Sequence, residues 1–431
     1  MNQNGFLKIA LKFYDAGWQL LTPVLRISSR LGESFEARKL SVPLPEAQVW
    51  IQAASGGEAY LACSLIRNLS PAGPLRILVT TNTRQGMDIL EKSRADICAG
   101  SSGITLLLGW CPFDRPEIMK KAVSQVKPEL VVLLETEIWP GLLYALKRFK
   151  RPAWIINGRI TQKSLFFYQI GRGLLQKVRP QKILAVSEQD AARFAGLFGK
   201  DIVSVMPNMK FDTLPYENGG DRDGALAELI DSKAKFVILG SVRRQEEKKV
   251  KNIIKHVRAH SPEAVIGLFP RHMHRINHWK QELTEMGGAW QLRSKLRSPA
   301  GAGTIILWDK FGELSYAYQR ADAVFVGGSL APLGGQNFLE PVVRGCRPVI
   351  GPHWENFFWA GEEIFSSGLV LRENNWHAAA RQLLTQLENP PEKENIRKRA
   401  NRYIAARRDG TKKACGLIEK HLGIRPAKEA L

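Results

Sequence analysis

Short apolar runs and amphipathic stretches alternate along this chain in two successive series. In the first, Val49–Ala53, Arg76–Thr80, Leu130–Leu134, Ala153–Ile156 and Lys182–Val186 read as strands, each within reach of a stretch with helical spacing. The second series is Phe236–Gly240, Ala264–Phe269, Thr304–Leu307, Ala323–Val326 and Pro348–Ile350. Strands alternating with helices predict an α/β chain with parallel sheets, folded as two Rossmann-like, doubly wound domains. Between the series, Asn208–Ser232 breaks the rhythm with Pro215, Gly219, Gly220 and the acids Asp212, Glu217, Asp221, Asp223 and Glu228. The expected organisation is an N-terminal domain over 31–212, a linker over 213–233, a C-terminal domain over 234–400 and a basic helix or tail over 401–431. Two such domains leave a cleft at the carboxyl ends of both sheets, where ligands of these sheets bind.

The first thirty residues follow a different pattern. Lys8, Lys12, Asp15 and Gln19 fall at i, i+4, i+7 and i+11, one narrow polar stripe on a helix that is otherwise almost wholly apolar. Pro23 is expected to limit it. The run is too short and too interrupted by charge to span a bilayer, which takes about 20 apolar residues, and no cleavage-site pattern marks a signal peptide. Residues 1–30 are therefore expected to lie in the membrane interface. A terminal helix packed on its own domain accounts for the same pattern.

Composition places the chain among ordinary globular proteins: 431 residues, 44% hydrophobic, 24% charged. Five cysteines without a CxxC pair indicate neither a disulfide framework nor a zinc site, so a reducing compartment is expected. The charge is less ordinary. The formal surplus is +21, and residues 151–200, 251–300 and 401–431 supply 18 of those charges. No Asp or Glu occurs from Ile138 to Ser187, a stretch that holds ten Lys and Arg interleaved with Trp139, Tyr144, Phe149, Trp154, Phe166, Phe167 and Tyr168. Stacked nucleic-acid bases, an anionic lipid surface or a merely solvated face all fit that interleaving. The largest share of the surplus is expected beside the N-terminal half of the cleft.

Four segments carry candidate chemistry. Ser55-Gly56-Gly57-Glu58 follows the first strand; its glycines bring N–H groups close to an anion and Glu58 stands at the cleft mouth, although a Ser-capped helix with a dipole-favoured Glu reads equally well. Glu135-Thr136-Glu137-Ile138-Trp139-Pro140 places two carboxylates directly after a buried strand. Gly327-Gly328-Ser329 ends another strand, and Gly334-Gly335-Gln336-Asn337-Phe338-Leu339-Glu340-Pro341 opens a helix, two glycine turns that suit a phosphate, with Glu340 placed for ribose hydroxyls. Pro270-Arg271-His272 adds a cation for that phosphate. No DxD-type pair stands at a strand end and no GxSxG elbow is present, which predicts metal-independent chemistry without a cofactor and argues against a hydrolase.

These motifs, in this order, resemble the 3-deoxy-D-manno-octulosonic acid (Kdo) transferases of lipopolysaccharide synthesis. Arg30-Leu31-Gly32-Glu33, Thr80-Thr81-Asn82-Thr83, Pro112-Phe113-Asp114, Asn157-Gly158-Arg159, Asn208-Met209-Lys210-Phe211-Asp212 and Gly312-Glu313 complete the set. The resemblance implies a B-type glycosyltransferase fold and inverting transfer of Kdo from CMP-Kdo to a lipid A precursor, at the anionic cytoplasmic face of the inner membrane as a peripheral protein, with no nucleic-acid partner. It implies Glu58 as general base, with Glu135, Glu137 and Lys210 supporting the transition state. Pro270, Arg271, Phe311, Gly312, Glu313, Gly328, Ser329, Gly334, Gly335, Gln336, Asn337, Phe338, Leu339 and Glu340 would hold the CMP-sugar; Ser55, Gly56, Gly57, Thr81, Thr83, Asn157 and Arg159 would lie on the acceptor side. The chain departs from the family at Gly56, where Val is usual, at Asn82 in place of Met, at Val242-Arg243 in place of Thr-His, and at Gln336 in place of His. Those departures leave room for a different CMP-sugar or acceptor. A non-enzymatic RNA- or membrane-binding protein is the remaining alternative.

Overall fold

The computed structural model describes residues 3–26, 34–100, 103–214, 229–231 and 233–424, without the side chains of 3–6 and 8. Arg30–Glu33, most of the linker and the last residues of the basic tail lie outside the described residues. The chain divides into two compact units, Met1–Thr213 with Arg407–Leu431 and Leu214–Ala406.

In the first unit, β1 (Val49–Gln52), β2 (Leu75–Thr81), β3 (Ile104–Trp110), β4 (Leu130–Leu134), β5 (Ala153–Gly158), β6 (Lys182–Ala185) and β7 (Val203–Val205) form one sheet. The order is β3-β2-β1-β4-β5-β6-β7, and every pair is parallel. Buried on both faces, the central strands need no alternation, which is why Leu130–Leu134 is apolar throughout. The path runs outward from β1 to β3 and then returns to β4, so the topological switch point lies between β1 and β4.

The second unit carries β8 (Phe236–Val242), β9 (Val265–Pro270), β10 (Trp290–Leu292), β11 (Ile305–Leu307), β12 (Ala323–Val326), β13 (Val349–Ile350) and β14 (Leu371–Arg372). Their order is β10-β11-β9-β8-β12-β13-β14, again parallel, with the switch point between β8 and β12. The strands without a clear sequence signal, β3, β7, β10 and β14, are the four edges. Edge strands are short or half-exposed and blur the apolar run.

The N-terminal helix departs from its expected form. It spans Gln3–Leu25 with Pro23 inside, because a proline in the last turn forfeits only one backbone bond. Asp15 keeps to one stripe with Lys12 and Gln19, accepting from the Gln19 amide at 2.8 Å, but it also reaches Arg115 of its own unit, at 3.0 and 3.3 Å. Trp18 packs against Phe113 and Leu11 is buried, so one side of the helix docks on its own unit. The opposite side leaves Phe13, Leu20, Leu21 and Val24 exposed. Among the described residues no helix is long and apolar enough to cross a membrane.

The basic tail is divided. Residues 393–405 form a helix of the second unit, whereas Gly410–Leu422 packs into the first, burying Cys415 and Ile418 among residues of β1, β2 and β4. Asp212 caps this last helix by accepting from Asp409 N at 2.8 Å and Thr411 N at 2.7 Å.

Candidate active site

At the carboxyl ends of β1 and β4, on either side of the first switch point, three carboxylates gather. Ser55 caps helix Gly56–Arg67, accepting from Glu58 N at 3.4 Å. The Glu58 carboxylate folds back onto Ala54 N at 2.6 Å, one residue before the cap, and onto Ser55 Oγ at 3.0 Å. The expected Ser-capped helix start is what the structure shows at this turn. Burial, aided by the charges of Glu137 and Glu135, pushes Glu58 up to about 8. Burial also raises Glu137 to about 7 against the bonds from Trp139 and Gln52, which hold its Oε2 at 2.6 and 3.4 Å. Gln52, which the sequence pattern does not single out, is fixed in turn by the Thr80 hydroxyl.

Glu135 sits at φ +55, a left-handed conformation that costs a non-glycine residue about 1–3 kcal/mol. Lys210 Nζ lies 2.5 Å from its Oε1. The lysine is delivered by two buried asparagines: Asn157 Oδ1 accepts from Met209 N at 2.8 Å and Asn208 Oδ1 from Lys210 N at 2.9 Å. Asn157 thus lies inside the fold and fixes the backbone beside Lys210. Thr81 is buried beneath Gly86, where a Cβ would come within 2.3 Å of its hydroxyl, and Thr83 Oγ1 accepts from Gly86 N at 3.1 Å. Asn82 anchors a cation, its side-chain and backbone oxygens receiving the buried Arg38 guanidinium at 3.0 and 2.8 Å. Arg159 lends its carbonyl to the Thr136 hydroxyl.

Gly56 abuts the Gln85 side chain, whereas Gly57 is exposed with nothing closer than 3.9 Å to an added Cβ. Gly57→Ala is therefore expected to fold normally and to gain about 0.5–1 kcal/mol from helix propensity, read as a raised denaturation midpoint at unchanged slope.

The basic cluster does not stand beside these carboxylates. Lys147, Lys150, Arg151, Lys177 and Arg179 line a cavity with Ala153 and Gln181, where β5 begins and just before β6, at the opposite end of the sheet from Glu58. Helix Pro140–Arg148 runs antiparallel to the strands, so its last turn carries its cations away from the switch point.

In the second unit the two glycine turns are zipped to each other. Gly335 N donates to Gly328 O at 2.8 Å and Gln336 N to Gly327 O at 3.1 Å, with Gly328, Gly334 and Gly335 at positive φ. Glu246, which no sequence motif flags, is wholly buried and accepts from Arg243 N at 2.9 Å, Leu330 N at 3.2 Å and Gly328 N. The cradle expectation needs correcting: the N–H groups of Gly328, Leu330, Gly335 and Gln336 are spent inside the protein. Ser329, Phe338 and Leu339 are buried, the Ser329 hydroxyl joining Val326 O to Gly351 N and Phe338 packing on Trp354 and Phe357. Glu313 is committed to Arg293 at 2.9 Å and the Trp308 indole at 2.7 Å. Pro270 is buried in β9. Left facing outward are Arg271, the Asn337 side chain and Phe311, which is 83% exposed beside the open Gly312. Arg271 Nε donates to Gln336 Oε1 at 3.1 Å, and burial raises the Glu340 carboxyl. No described group of His, Cys, Asp and Glu is arranged to hold a metal ion.

The family profile of the 3-deoxy-D-manno-octulosonic-acid transferases (kdotransferases) matches residues 26–213. The 3-deoxy-D-manno-octulosonic acid transferase of Bordetella pertussis is 29% identical over 421 residues, 94% of this chain and 93% of that protein. Its counterpart from Haemophilus influenzae is 29% identical over 74% of this chain and 73% of its own length. Among solved structures, a glycosyltransferase from Rickettsia africae superposes with a TM-score of 0.56 at 10% identity, covering 88% of this chain and 99% of that one, a likeness of fold alone. The motif-bearing carboxylates at the first switch point, the B-type glycosyltransferase fold and relatives aligned along nearly the whole chain lead to one conclusion: residues 26–213 match the Kdo transferase family, and the chain is similar to Kdo transferases along nearly its whole length.

Proposed function

We propose that the protein moves Kdo from CMP-Kdo to a glucosamine hydroxyl of a lipid A precursor, inverting the anomeric carbon, with Glu58 as the general base. The observation that carries this reading is Glu58 itself, a carboxylate at the switch point whose affinity for a proton is raised by burial toward the working pH. A base is most effective when its pKa lies near that pH. Glu58 takes the acceptor proton as the hydroxyl oxygen attacks the anomeric carbon, and CMP leaves with the bonding pair on its phosphate. Lys210, braced by Glu135, supplies positive charge near the reacting centre. Arg271 and Asn337 serve the departing phosphate, Phe311 offers an exposed ring to the cytosine, and Glu340 accepts from ribose hydroxyls. A single displacement of this kind asks for a base and cationic stabilisation, without metal or cofactor.

The acceptor is a lipid, and the first unit has a surface suited to one. Helix Gln162–Ile170 buries none of its residues and exposes Phe166, Phe167 and Ile170, and the N-terminal helix of the same unit exposes Phe13, Leu20, Leu21 and Val24. Apolar side chains among lysines and arginines support peripheral attachment to the anionic cytoplasmic face of the inner membrane, in preference to a nucleic-acid partner. The Gln336 bond to Arg271 favours, as a second reading, a CMP-sugar other than CMP-Kdo.

Incubation with a tetraacylated lipid A precursor and an equimolar mixture of CMP-Kdo and CMP-sialic acid, read by product mass, tests both readings. Kdo adducts support the first, and sialic acid adducts support the second. Because the base must be ionised to act, kcat/KM is expected to rise with pH and level off above about 8. A rate flat from pH 6 to 9 would remove Glu58 from that role.

A further inference from the structure

The N-terminal helix is docked on the segment Phe113-Asp114-Arg115. Tyr14 donates its hydroxyl to Asp114 Oδ2 at 2.7 Å, Asp15 binds Arg115, and the Trp18 and Phe113 rings lie 5.9 Å apart. Asp114 is completely buried, and its carboxylate has a second duty. It accepts from Gly141 N and Leu142 N, both at 2.7 Å, the open N–H groups in the first turn of helix Pro140–Arg148. The contact is close: a Cβ on Gly141 would stand 2.2 Å from the Asp114 carbonyl oxygen, so the helix start and the Asp114 backbone cannot shift independently. That first turn directly follows Trp139, whose indole N–H holds Glu137 at 2.6 Å.

We propose that Tyr14 is a positioning residue for the transfer reaction, its hydroxyl setting the place of Glu137 through Asp114 and the first turn of helix 140–148. The proposal rests on the function given above and adds a residue from the N-terminal helix to it. The element whose outer face suits lipid is thereby linked to Glu137 by three hydrogen bonds, Tyr14 to Asp114, Gly141 to Asp114 and Trp139 to Glu137, joined through the backbone 139–141. Tyr14 is not needed merely to keep the helix in place, since Asp15–Arg115 and Trp18–Phe113 hold it as well. Asp114 Oδ2 is shared between Tyr14 and Gly141, so loss of the hydroxyl changes the balance of bonds on the oxygen that anchors the turn. A small misplacement of a catalytic group lowers the rate steeply.

The test is Tyr14→Phe in the full-length protein, with Lys12→Ala, an exposed position of the same helix, as the control. Expected are a roughly tenfold lower kcat, the tenfold corresponding to about 1.4 kcal/mol, with an unchanged KM for CMP-Kdo, unchanged binding to vesicles containing phosphatidylglycerol and a nearly unchanged Tm. Combined with Trp139→Phe, the loss should be smaller than the product of the two single losses, because both act through Glu137. A wild-type kcat in Tyr14→Phe, or strictly multiplicative losses, overturns the proposal. An NMR readout separates it from the function reading: the Trp139 indole N–H resonance, assigned through Trp139→Phe, should shift in Tyr14→Phe and stay put in Lys12→Ala, whether or not Kdo is transferred. An unmoved resonance overturns the positioning role, whereas a wild type that transfers no Kdo overturns only the function.

Discussion

Glu58→Gln is expected to lower kcat by about 10³-fold, the middle of the range that a positioned general base contributes, while the fold stays intact or gains stability. Glutamine keeps an oxygen for Ala54 N and an amide for Ser55, so the cap survives. What disappears is a carboxylate whose ionised form the fold disfavours. Because folding raises the Glu58 pKa, from an ordinary 4.5 to about 8, its stabilising contribution is full below about 4.5 and is lost as pH climbs through about 8. The variant should therefore gain stability relative to wild type across that window, measured as Tm against pH. Glu135→Gln removes a neighbouring charge that pushes Glu58 up, so it should move the basic rise of kcat/KM to lower pH. Wild-type turnover in Glu58→Gln at pH 8 would end the assignment.

Glu246→Ala should be the most damaging change in the second unit, destabilising it by about 3 kcal/mol or more. One carboxylate satisfies Arg243 N, Gly328 N and Leu330 N, and each buried donor left without an acceptor costs about 1–3 kcal/mol. A Cβ on Gly327 would come within 2.6 Å of its Oε1, so the glycine turn is built against this side chain. CMP protection against thermal unfolding should vanish with it, while Glu246→Gln, which retains one acceptor oxygen, should fall between. A denaturation midpoint and CMP protection equal to wild type would show that the turn holds itself.

Much of the fold was legible because buried parallel strands leave an unmistakable signal: Leu130–Leu134 and Ala323–Val326 are read from apolar runs with their observed limits. Much of the site was legible for a related reason. Side chains at the carboxyl ends of such sheets follow the strands in sequence, so the candidates Glu58, Glu135, Glu137 and Arg271 are found by looking past where the apolar runs stop. Long-range partnerships were not legible. Nothing in the local sequence around Asp114 reveals that it receives Tyr14 from 100 residues upstream and Gly141 from 27 downstream. Glu246 looks like any charge opening an amphipathic helix until β12 is laid beside β8 and the glycine turn descends onto it.

The amino-acid sequence alone determined the two doubly wound sheets, the strand-end carboxylates and the surplus of positive charge, because periodicity, turn residues and charge are local properties. Tertiary structure decided how those parts are used. It joined Asp15 to Arg115, sent the Lys147–Arg151 cations to the far end of the sheet, returned the helix Gly410–Leu422 to the first unit, and spent the glycine-turn N–H groups on the protein itself. Each is a matter of which buried polar group finds which partner. That pairing is enforced by the penalty for leaving such groups unsatisfied, and it exists only once distant segments have been packed together.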